Sequence, residues 1–234
     1  MEDPQQYPPN ELDLEDEEEL SEGGWIPWFC SLEGHEFLAE AEEDFIRDNF
    51  NLYGLRPKIP HYREALEMIL SPETPDEEDL QDEAFLELYQ NASDLYGLIH
   101  SRFILSPRGL AIMREKYLSG KFGICPRVMC ERQNVLPLGM SDELRTSRVK
   151  VFCPKCEDVY IPKHKYGDLD GAYFGRSFPH ILLQSYPDLS PSPSKGNYVP
   201  KIYGFKIVNH KGSTFYSPEQ KDAEFRVPGY VRKV

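Results

Sequence analysis

The sequence predicts an α+β protein: an N-terminal α-helical domain, then a four-cysteine ribbon, then an extended C-terminal arm. Three observations carry that expectation. Apolar residues recur at helical spacing between residues 36 and 120, with proline, serine and glycine at the boundaries. Two cysteine pairs, Cys125 with Cys130 and Cys153 with Cys156, stand with 22 residues between them. Beyond a Pro/Ser-rich stretch, an aromatic run over 198–208 alternates with period 2.

Residues 1–24 are polar, proline-rich and strongly acidic from Glu11 to Glu22. Such a stretch buries too little apolar surface to offset chain entropy and is expected to be disordered. Order is expected from Trp25, in the helical domain 25–120. The spacing predicts a first helix over Glu36–Asp48, with Phe37, Leu38, Ala41 and Phe45 on one face. A second is predicted over Tyr62–Leu70, bracketed by Pro60 and Pro72. A third, over Leu80–Ile99, carries an apolar stripe from Phe85 to Ile99. The fourth starts with Ser106 as N-cap and Pro107 at its first position, and Gly120 stops it. Between the second and third lies an acidic loop, 73–83, with Glu73, Asp76, Glu77, Glu78 and Asp79. It reads either as a solvated loop or as a docking surface for cations and basic proteins.

The cysteine pairs come next, within a segment 121–186. A thiolate pair on a tight turn is half of a tetrahedral zinc site, and two halves close a four-sulfur shell with no open position. Pro126 and Pro154 preset the backbone of each turn. A lone Cys-Pro-Lys-Cys would fit a redox pair; with the second pair, Cys125, Cys130, Cys153 and Cys156 read as ligands of one structural zinc per chain. The strand-like flanks Val149–Phe152 and Val159–Ile161 fit a ribbon, and the inner loop is expected to be an excursion. Phe178–Leu183 suggests a short helix, and 187–197 a linker. Over 198–208, Tyr203, Phe205 and Ile207 share one face of a strand. That strand either docks on another protein or folds back onto its own domain.

Composition narrows the functional classes. The chain has 234 residues, 40% apolar, with net charge −14. That balance disfavours broad binding to a phosphate backbone. No basic n-region or apolar h-region opens the chain, and no run reaches membrane-spanning length. Four of the five cysteines go to zinc, which fits a reducing compartment; Cys30 reads as a small buried hydrophobe. A closed four-cysteine site offers no activated water. The deaminase signature, the phosphate loop, the nucleophile elbow and the kinase motif set are all absent, so no catalytic residue is assigned.

Taken together, the residues resemble the regulatory (beta) subunit of casein kinase II. The likeness rests on Trp28-Phe29-Cys30, Phe50-Asn51-Leu52, Pro60-His61-Tyr62-Arg63, Leu95-Tyr96-Gly97-Leu98-Ile99-His100 and Gly123-Ile124-Cys125-Pro126-Arg127-Val128. It continues through Cys153-Pro154-Lys155-Cys156, Asp170-Gly171-Ala172-Tyr173-Phe174-Gly175 and Tyr203-Gly204-Phe205-Lys206-Ile207. The resemblance implies a non-catalytic subunit that dimerises through its zinc ribbon and binds two catalytic kinase subunits. Pro126, Val128 and Val159, apolar positions beside the thiolates, are then the expected dimer contacts. Tyr203, Phe205 and Ile207 become the expected kinase contacts, and the acidic loop the place where polyamines or basic proteins act. It further implies residence in nucleus and cytoplasm. N-terminal autophosphorylation is not carried over, because Ser21 is followed by Glu22, Gly23 and Gly24, without the acidic residue three places on. Ser217-Pro218 is a possible proline-directed phosphosite. The alternative from another class is a zinc-ribbon nucleic-acid or transcription adaptor, which a salt-titrated DNA-binding assay separates.

Overall fold

The computed structural model describes residues 23–76, 79–192 and 201–206. The acidic N-terminal stretch, Glu77, Glu78, residues 193–200 and everything from Ile207 onward lie outside the described residues. The fold is mixed, as predicted, with helices first and small sheets after them.

The long helix α4, Glu83–Phe103, is the axis of the molecule. Its N-cap is Asp82, whose side chain accepts from the Ala84 N–H, so it starts later than Leu80; Asp79–Gln81 form a separate 3-10 turn. Every residue from Asn91 to His100 is buried. A helix covered on all sides must have neighbours on all sides, and α4 does. Helix α3, Tyr62–Ile69, packs along it with Ala65 and Ile69 buried. Helix α1, Trp25–Ser31, which the sequence reading missed, brings Trp25 and Phe29 into a ring cluster with Tyr96. Helix α5, Pro107–Leu118, begins as predicted: the Ser106 hydroxyl accepts from the Gly109 N–H, and Pro107 takes the first position. Gly120, at φ 72°, follows its end.

The predicted first helix is the main correction. Only Glu43–Arg47 is helical (α2); residues 36–42 are irregular. Phe37, Leu38 and Ala39 are nonetheless fully buried. Distant side chains satisfy this backbone in place of a helix ladder. The Ala39 N–H donates to His100 Nε2 (2.9 Å), the Ala41 N–H to the Tyr96 hydroxyl (3.1 Å), and Tyr96 donates onward to the Ala39 carbonyl (2.8 Å). Lys116 Nζ bonds the carbonyls of Glu36 and Leu38.

The core continues past residue 120 without a break. Phe37 stacks on Tyr166 with centroids 4.0 Å apart and meets Phe122 edge-on at 5.4 Å. Gly97 on α4 lies under the ring of Tyr173: a Cβ there would come 2.0 Å from the ring. Next to it, His100 Nδ1 donates to the Tyr173 carbonyl at 2.7 Å while Nε2 accepts from Ala39. With one nitrogen donating and one accepting, the ring is held neutral.

Burial, opposed only in part by the Tyr173 hydrogen bond, pushes the His100 pKa down from 6.5 to about 4. Between those values the unfolded chain binds a proton that the folded chain refuses. Stability from this group is therefore full above pH 6.5 and drains away as pH falls towards 4. The span amounts to about 3 kcal/mol. Urea titrations at pH 7 and pH 5 should show the native chain losing more stability than a His100→Gln variant. Equal losses would place the pH dependence elsewhere.

Three short strands form the first sheet: β1 Leu136–Leu138, β2 Lys150–Phe152 and β3 Val159–Tyr160, antiparallel in that order. The pairs Leu136 with Phe152 and Val151 with Tyr160 fix the register. The two flanking strands match the sequence reading; β1 was not foreseen. The excursion between β1 and β2 returns to α4, where Arg145 pairs with the buried Asp94 at 2.7 Å. Helix α6, Phe178–Ser185, confirms the short helix near 178. The first part of the expected linker is instead packed: Pro187–Leu189 make a 3-10 turn and Leu189 is buried.

Candidate metal centre and hairpin

Two knuckles bring the four thiols together. In the first, Cys125 N–H donates to the Gln133 carbonyl (2.7 Å), and the chain reverses through Glu131 and Arg132, both at positive φ. An Ile124–Asn134 bridge closes its base. Gln133 and Asn134 side chains donate to the hydroxyl and carbonyl of Tyr117, anchoring the knuckle to α5. The second knuckle joins β2 to β3: Cys153 N–H donates to the Asp158 carbonyl, with Glu157 at φ 56°. Ion pairs Arg127–Asp158 (2.6 Å) and Lys155–Glu131 (2.9 Å) clasp one knuckle to the other.

The sulfurs of Cys125, Cys130, Cys153 and Cys156 all lie within 4.8 Å of one another, and none is in a disulfide. Cys125 to Cys156 and Cys130 to Cys153 are each 3.9 Å. A tetrahedral zinc with Zn–S bonds of about 2.3 Å places its sulfurs about 3.8 Å apart. The donor set therefore fits a tetrahedral thiolate-loving cation. Electrostatics agree. Burial drives the Cys130 thiol up and Cys153 up to about 11. At Cys156, burial is outweighed by hydrogen bonds, first from the Tyr160 hydroxyl 3.3 Å away, and its thiol falls to about 7. Four crowded sulfurs cannot all ionise without a cation among them. The Arg127 N–H points at Cys125 Sγ (3.4 Å), a support outside the ligand set that pair spacing does not reveal.

The apolar positions beside the thiols, Pro126, Val128 and Val159, are exposed, Val128 at 78%. Ile124 and Ile161, not singled out from the sequence, are exposed with them.

The aromatic run is corrected in shape. Lys201–Ile202 (β4) and Phe205–Lys206 (β5) pair antiparallel as a hairpin, with Ile202 opposite Phe205. Tyr203 at φ 50° and Gly204 at φ 87° form the turn. Two consecutive positive φ values mark a two-residue turn whose twist suits a hairpin. Tyr203 therefore sits at the tip instead of sharing a strand face with Phe205. Tyr203 is 97% exposed and Phe205 77%, and a Cβ on Gly204 would meet nothing within 4 Å. Ile207 falls outside the described residues.

Of the acidic loop, Glu73 and Asp76 are exposed, and Asp79 is partly so; Glu77 and Glu78 are outside the described residues. Asp76 and Asp79 each cap the other's backbone N–H, at 2.9 and 3.1 Å. Cys30 packs against the core with Sγ 3.4 Å from the Tyr96 hydroxyl, and burial pushes its thiol up to about 12, which makes it inert.

Comparison with known proteins agrees with this architecture. A family model for the casein kinase II regulatory subunit matches residues 24–206. The chain is 48% identical over 203 residues to casein kinase II subunit beta of Schizosaccharomyces pombe, covering 84% of this chain and 86% of that protein. It is 48% identical over 204 residues to the subunit beta of Dictyostelium discoideum, covering 85% and 74%. With casein kinase II subunit beta-3 of Arabidopsis thaliana it shares 49% over 184 residues, covering 78% and 67%.

Proposed function

The chain belongs to the casein kinase II regulatory subunit family, a non-catalytic one, and from that premise we propose that it pairs with itself through the cysteine ribbon and that each pair binds, stabilises and tunes two catalytic kinase subunits. The observation that carries the kinase-docking part is the hairpin. Ile202, Tyr203 and Phe205 are large, apolar and exposed on a turn that holds them out. Aromatic tips of this kind serve as anchors in a partner's pocket. Ile207 continues the same segment and is proposed to add to the contact.

The metal held by the four cysteines is proposed to be zinc, one per chain. When bound it supplies cross-linking and no chemistry, because four thiolates leave no open position. Pro126, Val128 and Val159, with Ile124 and Ile161 beside them, are the proposed contacts between copies. The acidic loop, from Glu73 and Asp76 through Glu77 and Glu78 to Asp79, is proposed to receive polyamines or basic proteins. The protein is proposed to act in nucleus and cytoplasm and to be phosphorylated, with Ser217 a candidate position. Nothing in the ribbon favours the nucleic-acid adaptor.

Calorimetry with a casein kinase II catalytic subunit tests the reading. Truncating buried interface aromatics costs about 2 kcal/mol or more, roughly thirtyfold in affinity. The double variant Tyr203→Ala, Phe205→Ala should lose at least about tenfold in affinity, with metal content and melting temperature unchanged. Undiminished binding would remove the hairpin from the interface.

A further inference from the structure

The chain carries a net charge of −14, yet residues 49–63 contain no Asp or Glu and include Arg56, Lys58 and Arg63. This basic island is also aromatic. The turn between α2 and α3 buries Leu52, Leu55 and Ile59 and leaves Phe50 and Tyr53 more than 80% exposed. Side chains pin it in that posture. Arg102 donates to the carbonyls of Asn51 and Tyr53, the Asn51 amide to the Phe45 carbonyl, and the Phe50 N–H to Asp48 Oδ1. Arg56 stands with Arg102 close enough to act on the Tyr62 hydroxyl. Among the described residues, Arg56 and Lys58 take part in no ion pair.

We propose that this face, built by Phe50, Tyr53, Arg56 and Lys58, binds the acidic stretch Glu11–Glu22 of the same chain. Charge complementarity is one argument: the acidic run meets an exposed turn whose stretch has cations and no carboxylate, and whose Arg56 and Lys58 take part in no ion pair among the described residues. Leu12, Leu14 and Leu20, set among the acids, give the exposed rings apolar partners. Reach is the second argument. Trp25 N–H donates to the Ser71 carbonyl, so the described chain begins beside the C-terminal end of α3. The island sits at the other end of that helix, which at 8 residues is about 12 Å long. Four extended residues cover about 13 Å, enough to bring Glu19 onto it. A segment tethered this closely meets its site at an effective concentration near the millimolar range.

The test uses the full chain and a fluorescent synthetic peptide of residues 11–22. In one variant Glu15, Asp16, Glu17, Glu18 and Glu19 all become Gln, which empties the face. The peptide should bind that variant about tenfold more tightly than it binds the native chain, where the tethered copy competes. Adding Arg56→Glu and Lys58→Glu to the neutralised chain should abolish the gain, and rising salt should weaken it. These are exposed positions, and an unchanged metal content and circular dichroism would show that the fold is intact. Equal binding by native and neutralised chains overturns the proposal. So does binding that survives Arg56→Glu with Lys58→Glu, or a single-stranded oligonucleotide that binds the native chain as tightly as the peptide binds the neutralised one.

Discussion

A Cys153→Ser chain is expected to lose its metal, its ribbon and the packing of the helices behind it. Structural zinc in four-ligand sites contributes on the order of 10 kcal/mol or more to folding. That is comparable to the entire stability of an ordinary domain, about 5–15 kcal/mol. Cys153 is fully buried at the end of β2 and holds the second knuckle through its own backbone, so serine there cannot be absorbed by a surface shift. Metal analysis should find about one zinc per native chain and well under one in the variant. Light scattering should find the native chain paired and the variant unpaired or aggregated. A Cys153→Ser chain that stayed folded and paired would show that neither metal nor ribbon holds the copies together.

The second large effect is steric and has an unusual sign. Replacing glycine by alanine inside a helix ordinarily gains about 1 kcal/mol. At Gly97 the new Cβ would fall 2.0 Å from the Tyr173 ring, a contact relieved only if the ring leaves its place or the backbones part. Tyr173 is itself fixed, with its hydroxyl 3.3 Å from Asp94 and its carbonyl held by His100. Overpacking of this kind costs about 3 kcal/mol, or about 10 °C in melting temperature for a chain of this size. Calorimetric melting of Gly97→Ala, Tyr173→Ala and the double variant isolates the cause. The penalty of alanine should shrink sharply once the ring is gone. An undiminished penalty would mean that the helix, not the ring, rejects it.

What was legible in the sequence was whatever local spacing determines. The cysteine pairs, Ser106 with Pro107 as a helix start, and the Ala92–Ile99 stripe all declare themselves within a few residues. The failures share one physical cause, partners far away in the chain. Phe37, Leu38 and Ala41 look helical, but Lys116, His100 and Tyr96, more than 50 residues on, supply the backbone hydrogen bonds of Leu38, Ala39 and Ala41. Buried Asp94 gives no sign of its role until Arg145 and Tyr173 arrive beside it. The hairpin was missed for the opposite reason. Its turn is local, but Tyr-Gly is not a turn signal as strong as Asn-Gly, and the alternation alone suits a single strand.

Gly97 and His100 on α4, each meeting Tyr173, also bear on how such a chain can be inherited or engineered. The cysteine ribbon looks portable when its ligands alone are counted. The part of the chain that follows residue 120, however, is the wall on which α4 completes the His100–Tyr173 hydrogen bond and Phe37 its ring contacts. Cut near residue 120, neither piece keeps a finished core: one loses Phe122, Tyr166 and Tyr173, the other loses α4. The smallest unit that can be exchanged between proteins, by recombination or by a designer, is therefore the helices and ribbon together, and a graft of the metal site alone should fail.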